Sequence, residues 1–245
     1  DCYDITGVLI YFYFHKLAPR DATDMAANAG GCVAKEVGIS DIQDVGSSDH
    51  PDDGNEVAFT GIVTAVDGKP SGGGDTAEFE GFWVQEEGAG GPYKGIYVYH
   101  KWTASSAIKP PVVGTKVKVT GVYVEYYDLS EIKSVTAIED LGAATAIEPL
   151  SVNAADLATG GAEFEKYEGV LVTVAPVTVK ELISNSEKTI HFGFTATEAD
   201  FDVKTDLYDF ANPTAPTGSY TSITGVVSYS YSRALLLPRE AGDLQ

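Results

Sequence analysis

Four side chains that carry oxygen atoms fall within seven residues of a polar loop, at Asp49, Asp52, Asp53 and Asn55. Calcium takes about six to eight oxygen ligands and tolerates irregular loops, so this composition suits it. The spacing does not follow the EF-hand pattern, and an acidic loop that is simply hydrated has the same composition. The loop is a candidate calcium site, and no other cofactor is indicated.

A second candidate site is aromatic. Trp83, Tyr97, Tyr99 and Trp102 lie on or beside two predicted strands at about 80–86 and 94–101. Exposed rings on the strands of a small barrel stack on sugars or bases. Side chains alternate between the two faces of a strand, so about half of these rings must fill the core instead. The exposed set is predicted to bind a polysaccharide or a partner protein.

No arrangement of residues indicates catalysis. The four histidines, His15, His50, His100 and His191, stand far apart in the sequence. A Gly-x-Ser-x-Gly elbow and a phosphate-binding glycine loop are both absent from the sequence. We expect no catalytic residue, and therefore no enzyme.

Charge narrows the range of partners. Acidic residues outnumber basic ones by 36 to 16, which gives a formal net charge of -20. Such a surface repels phosphate backbones, so nucleic acid is not expected to bind without divalent cations. A neutral polysaccharide or another copy of the chain meets no such obstacle.

The two cysteines, Cys2 and Cys32, predict an oxidising environment. They belong to no metal-type cluster, so a disulfide between them is the simpler interpretation. The chain begins with Asp1, and no apolar run reaches the length of a membrane span. We therefore expect a secreted protein with no membrane-spanning segment.

The most apolar run lies close to the N-terminus and predicts a strand covered on both faces. It consists of Val8, Leu9, Ile10, Tyr11, Phe12, Tyr13 and Phe14. Such a strand is either internal to its own domain or donated to a neighbouring subunit, which would assemble subunits by strand addition. A short helix is predicted to follow, from Asp21 to Ala29.

An internal repeat sets the domain organisation. Residues 114–127 and 218–231 share a Gly, a Thr-Gly-Val and a final Tyr in the same register. Five predicted strands in each repeat favour an all-β fold with two tandem OB-like Greek-key barrels. The predicted divisions are an N-terminal strand and helix, a first barrel, a linker and a second barrel, at residues 1–55, 56–139, 140–162 and 163–245.

The repeats resemble the OB-fold modules of secreted bacterial endonuclease-type proteins. The resemblance is carried by Val57–Val66, Gly81-Phe-Trp-Val-Gln-Glu, Gly95-Ile-Tyr-Val-Tyr, Gly114–Tyr127, and the segment from Ala154 to Val172 that opens the second repeat. It covers about residues 56–245. The family's nuclease chemistry belongs to a separate catalytic domain that has no counterpart here, and the family's Val-Gly-Asp turn is Val113-Gly-Thr. The resemblance therefore implies OB modules without an attached enzyme.

Two functions follow as expectations. The first is a secreted structural protein that self-assembles into an extracellular filament or surface assembly. The alternative is an accessory OB-fold module that binds polysaccharide or nucleic acid and is associated with a secreted hydrolase.

Overall fold

A computed structural model describes residues 3–12, 14–27, 34–68, 79–88, 90–103, 106–185, 190–211 and 214–245. Strands make up most of these residues, which confirms the all-β prediction. The chain divides into two compact units, Asp1–Lys35 and Glu36–Gln245. None of the helices in the described ranges has the length and hydrophobicity needed to cross a bilayer.

The N-terminal unit contains two small antiparallel sheets. Its strands are β1 (Tyr3–Ile5), β2 (Val8–Phe12), β3 (Phe14–Ala18) and β4 (Met25–Ala27). Strand β1 pairs with β4, and β2 pairs with β3, so the run predicted as one strand forms a hairpin. In place of the helix predicted over residues 21–29, a 3-10 turn at Ala22–Asp24 is followed by β4, because pairing with β1 outweighs local helix propensity.

The first barrel is a closed sheet of five strands. These are β6 (Glu56–Asp67), β7 (Phe79–Gln85), β8 (Gly95–Trp102), β9 (Thr115–Glu125) and β10 (Ser130–Ala143), preceded by β5 (Lys35–Glu36) and helix α1 (Ile39–Gln43). Their order is β6-β7-β8-β10-β9, and β9 closes the barrel by pairing with β6. Of the pairs that these five strands form in the described ranges, β8 and β10 run parallel and the others antiparallel. The five strands predicted for this region are confirmed.

Helix α1 packs into the first barrel. Ile39 and Ile42 lie three residues apart, on one side of the helix, and both are fully buried in the barrel core. Residues 36–55 therefore pack with the first barrel, and the predicted boundary at residue 55 moves to the junction of Lys35 and Glu36.

The second barrel is a curled sheet that repeats this strand order. Its strands are β11 (Leu150–Val152), β12 (Leu171–Val174), β13 (Val177–Asn185), β14 (Ile190–Ala196), β15 (Asp202–Lys204), β16 (Ser219–Tyr220), β17 (Ile223–Ser230) and β18 (Arg233–Leu237), with 3-10 turns at Ala154–Leu157, Phe164–Tyr167 and Ala241–Asp243. The consecutive strands β12 and β13 together take the place of β6, because β12 pairs with β17 and β13 with β14. From β14 the order runs β15, β18, β17, and the parallel pair recurs at β15 and β18.

The two repeated segments occupy equivalent positions, as the repeat predicts. Gly121 on β9 pairs with Val57, the second residue of β6, and Gly225 on β17 pairs with Val172, the second residue of β12. A Cβ added at either glycine would press on the last strand of its barrel, at 2.9 Å from the Lys133 carbonyl oxygen or 2.7 Å from that of Leu237. Glycine permits this close approach of strands in both barrels.

The N-terminal unit repeats the C-terminal end of the second barrel, a relation that was missed in the sequence. Ile-Thr-Gly-Val at 5–8 matches 223–226, and Pro19-Arg20 matches Pro238-Arg239. The cross-strand pair Leu9 and Leu17 is equivalent to Val227 and Leu236 in the second barrel.

The hydrogen bonds repeat as well. Arg20 donates from its backbone N–H and its guanidinium to Asp24 at 2.7 to 2.9 Å, and Arg239 donates to Asp243 in the same manner at 2.8 to 3.0 Å. The described residues of 3–27 therefore have the structure of the last two strands and closing turn of a third module. We call them the half-module.

The two barrels meet where two glycine backbones touch. A Cβ on Gly95 would lie 2.1 Å from the carbonyl carbon of Gly169. Beside this contact, the Leu171 N–H donates to Gln85 Oε1 at 2.9 Å. An apolar cluster joins the barrels around it, formed by Ile62, Ala65, Trp83, Ile147, Leu171, Val226, Leu235 and Leu237.

Replacing Gly95 tests how strongly the fold depends on this contact. Gly95→Ala forces the two backbones apart, and we expect the unfolding free energy to fall by about 1–3 kcal/mol, the usual cost of overpacking. Urea denaturation measures the loss. Gly242→Ala is the matched control, because its Cβ would meet nothing closer than 3.7 Å. Equal stability of the two variants would contradict the importance of the contact.

Candidate functional site

A cleft lined by tyrosines opens where the hairpins of the two barrels approach strand β8. Its volume is about 770 Å³, and Glu80, Asp128, Glu131 and Lys133 also line it. The tyrosines are Tyr97, Tyr99, Tyr126, Tyr127, Tyr229 and Tyr231. We call this site the tyrosine cleft. Both barrels contribute rings to it.

Two equivalent tight turns hold the most exposed rings. The β9–β10 hairpin turns through Tyr127 and Asp128, and the β17–β18 hairpin through Tyr231 and Ser232, all four with φ between 51° and 62°. Two successive residues with positive φ form the mirror-image turn that suits a hairpin, usually with Asn-Gly. Tyrosine adopts this conformation at a cost of about 1–2 kcal/mol. Tyr127 is 81% exposed and Tyr231 is 99% exposed, so neither ring offsets that cost by burial.

The floor of the cleft is formed by β8 and its parallel neighbour β10. Tyr97 lies over Gly81, where a Cβ would come within 2.4 Å of the Tyr97 hydroxyl, and its ring centroid is 4.6 Å from that of Trp83. Burial, together with Asp67 and Glu131, raises the pKa of Tyr97 well above its ordinary value. Glu131 is the Cα partner of Tyr97 across the parallel pair, so the carboxylate and the ring are neighbours.

The predicted ligand face divides into two pairs. Tyr97 and Tyr99 lie in the tyrosine cleft, where a ligand can reach them. Trp83 is 4% exposed because the second barrel covers it, and Trp102 is 1% exposed within the first barrel core. The prediction is wrong for the two tryptophans, whose large apolar rings fill cores.

Four tyrosines and one carboxylate of the cleft were missed in the sequence. They are Tyr126, Tyr127, Tyr229, Tyr231 and Glu131. The signal was present in the repeat, whose alignment pairs Tyr127 with Tyr231 at the turn of each hairpin. The sequence does not predict that the two turns lie close together, because their proximity depends on how the barrels dock.

The predicted calcium loop borders a different cavity, of about 810 Å³. Asp52 and Asp53 line this acidic cavity, whereas Asp49 and Asn55 do not. Asp53 accepts a hydrogen bond from the Glu125 N–H at 3.1 Å. Within the described ranges no three His, Cys, Asp or Glu side chains are placed to hold a metal ion together. Asp49, Asp52 and Asp53 therefore do not form a cluster of three carboxylates, and calcium binding by this loop stays a prediction.

Glu168 is buried at the barrel interface, near the acidic cavity. Its Oε1 accepts a hydrogen bond from the Ser130 N–H at 2.9 Å, and its Oε2 has no hydrogen-bond partner in the described part of the chain. Burial, followed by the charge of Glu165, raises the pKa of Glu168 well above its ordinary value. Folding therefore favours the protonated form of the Glu168 carboxyl group.

The remaining predicted sites concern the N-terminal unit. Val8, Leu9 and Ile10 lie on β2, and all three side chains are exposed. The described residues of the chain therefore cover neither face of this part of β2, although the sequence predicts a strand covered on both faces. Cys2, Cys32 and Tyr13 lie outside the described residues, as do the side chains of Tyr11, Phe12 and Phe14.

No protein-family model and no curated protein matches the chain. Among solved structures it is similar to a murine DNA-binding protein bound to double-stranded DNA, at 11% sequence identity. The match covers 74% of this chain and 92% of that chain, with a TM-score of 0.33. At this degree of likeness, the DNA binding of that protein says nothing about this chain.

Glu168→Gln tests the buried carboxyl group. A raised folded-state pKa contributes stability that is complete below the unfolded pKa of about 4.3 and is lost as pH rises through the folded-state pKa. Glutamine keeps an oxygen for the Ser130 N–H but cannot ionise. We expect the variant to become more stable than the wild type as pH rises from about 5 to about 8.

Chemical denaturation at several pH values measures this difference in unfolding free energy. Glu148→Gln is the control, because it makes the same replacement at an exposed position. A constant difference between Glu168→Gln and the wild type at every pH would contradict the raised pKa.

Proposed function

We propose that this protein is a secreted, non-enzymatic structural protein that self-assembles into an extracellular filament or surface assembly. The proposal rests on one observation: the half-module presents an apolar face that nothing in the described residues of its own unit covers. Copies of the protein associate by covering this face, and the association needs no cofactor.

The exposed face belongs to the β2–β3 hairpin. Leu9 and Leu17 are cross-strand partners on the same face, and they are 67% and 48% exposed. Val8 and Ile10, on the opposite face of β2, are also exposed. Contiguous exposed aliphatic side chains are uncommon on monomeric proteins and usually mark an interaction surface.

The equivalent hairpin of the second barrel shows which kind of surface covers such an apolar face. Val227 and Leu236 are the equivalents of Leu9 and Leu17, and both are fully buried in the core of the second barrel. There they pack against residues of β12, β14 and β15, including Val172, Phe194 and Val203. By equivalence, the face of the half-module suits the apolar side of additional β-strands, as in assembly by strand addition.

Charge supports association through the same unit. Residues 1–35 contain four of the 36 acidic residues and three of the 16 basic ones, a net charge of -1. The rest of the chain keeps 32 acidic and 13 basic residues, a net charge of -19. Contact through the N-terminal units therefore joins the least charged part of each copy.

The topology of both barrels supports their assignment as OB-fold modules. Each has five principal strands in Greek-key order, with a parallel pair between the third and the fifth. The resemblance to modules of secreted bacterial endonuclease-type proteins supports an extracellular location. A disulfide between Cys2 and Cys32 is part of this proposal.

The alternative, an accessory module for polysaccharide or nucleic acid, is less well supported. OB barrels bind such ligands along the face of their second and third strands. Here the second barrel buries Trp83 on β7, and the Gly95 end of β8 contacts Gly169. In the described part of this face, the accessible aromatic rings are those of Tyr97 and Tyr99, which is less than the whole face of an uncovered barrel offers a polymer.

A double variant of the half-module tests self-assembly. Leu9→Ser with Leu17→Ser replaces both leucines of the exposed face. We expect self-association to weaken at least about tenfold, since burying even part of two leucines contributes more than about 1.4 kcal/mol. Light scattering coupled to size-exclusion chromatography, over a range of concentrations, measures the change.

The matched control is Val112→Ser with Val113→Ser, which removes two exposed aliphatic side chains from the first barrel. It should associate like the wild type. A wild-type protein that remains monomeric at its highest soluble concentration would contradict the proposal, as would equal behaviour of the two double variants.

A further inference from the structure

We propose that the tyrosine cleft binds an organic cation of the ammonium type, with Glu131 as its counter-ion. This inference is independent of self-assembly, because the cleft lies within residues 80–232 and involves no residue of the half-module.

Six tyrosine rings from three chain segments line the cleft. The face of an aromatic ring carries negative charge density and attracts cations, and several rings around one space form the cage that quaternary ammonium groups favour. Tyr97 and Tyr99 come from β8, whereas Tyr127 and Tyr231 stand at the tips of the two hairpins. A ligand in this space contacts rings on more than one side.

Glu131 supplies the charge that selects a cation. Its side chain is 6% exposed, it lines the cleft, and no hydrogen bond or ion pair to its carboxylate is found in the described part of the chain. Partial withdrawal of a carboxylate from water disfavours its charged form unless a cation lies beside it. Burial raises the pKa of Glu131, which Lys133 partly opposes. A bound cation would compensate the carboxylate directly.

The other charges around the cleft favour the same ligand. Asp128 and Glu80 line it with Glu131, against a single basic residue, Lys133. Glu80 is paired with Lys101 at 3.1 Å, so Asp128 and Glu131 provide most of the negative potential. The net charge of -20 adds to the attraction of cations and opposes anions. A neutral sugar could stack on the rings but would leave Glu131 without a partner.

Calorimetric titration of the full chain with choline tests the proposal, at pH 8 to favour the ionised form of Glu131 and at low salt to limit screening. The neutral probe is 3,3-dimethylbutan-1-ol, which has the shape of choline without its charge. We expect saturable binding of choline and at least tenfold weaker binding of the alcohol.

Two kinds of variant locate the binding. Glu131→Gln should weaken choline binding at least tenfold, while Glu139→Gln, which removes the same charge from an exposed position on the same strand, should not. Tyr127→Asn and Tyr231→Asn remove a ring but keep a residue that tolerates positive φ, and each should weaken binding about two- to fivefold. Tyr93→Asn is their control, because Tyr93 also has positive φ (63°) but does not line the cleft.

Several outcomes would overturn the proposal: equal binding of choline and its neutral analogue, equal effects of Glu131→Gln and Glu139→Gln, or no binding of choline at all. Binding of a neutral tetrasaccharide in its place would assign the rings to carbohydrate instead. Where choline binds, a trimethyllysine peptide and phosphatidylcholine vesicles distinguish a protein source of the cation from a lipid source.

Discussion

The backbone contact between Gly95 and Gly169 is the constraint on which the rest of the larger unit depends. No side chain fits at either position, so the two barrels approach as closely as two backbones can. This closeness allows Gln85 to bind the Leu171 N–H, and it closes the apolar cluster around Trp83. Each barrel has its own core, but the arrangement of the pair is fixed by two residues that have no side chain.

The contact between Gly95 and Gly169 also brings the repeated hairpins of the two barrels together to form the tyrosine cleft. Each barrel ends in a hairpin whose turn places a tyrosine at positive φ, and docking brings both hairpins to the outer surface of β8. In an isolated barrel, each of these turns would be a strained, exposed loop that contributes to no site. Next to each other, they frame a cleft that neither barrel could form alone. Strained residues that converge on one cleft are a reason to look for function there.

Local pattern and spacing predicted much of the fold. The five strands of the first barrel and the equivalence of Gly121 and Gly225 could be read from alternation and from the repeat. The half-module could not, because Ser228 and Ser230 in the second barrel correspond to Ile10 and Phe12, which hides the match behind a change of polarity. The burial of Trp83 escapes sequence analysis for a related reason: alternation gives two faces of a strand, but only the docked second barrel determines that the outer face at Trp83 is buried. Glu131 carries no sequence signal beyond its position at the start of a predicted strand.

Because the cleft takes rings from both barrels, occupancy and docking are thermodynamically linked. Any molecule held between Tyr97 and Tyr231 binds the docked pair and not the separated barrels, so it shifts the equilibrium towards docking. Reciprocity requires that a change which loosens the interface, even one far from the rings, lowers affinity by the same factor. The affinity of the cleft for a ligand therefore depends on how the two barrels are docked. Mechanical tension that pulled the barrels apart would release a bound molecule.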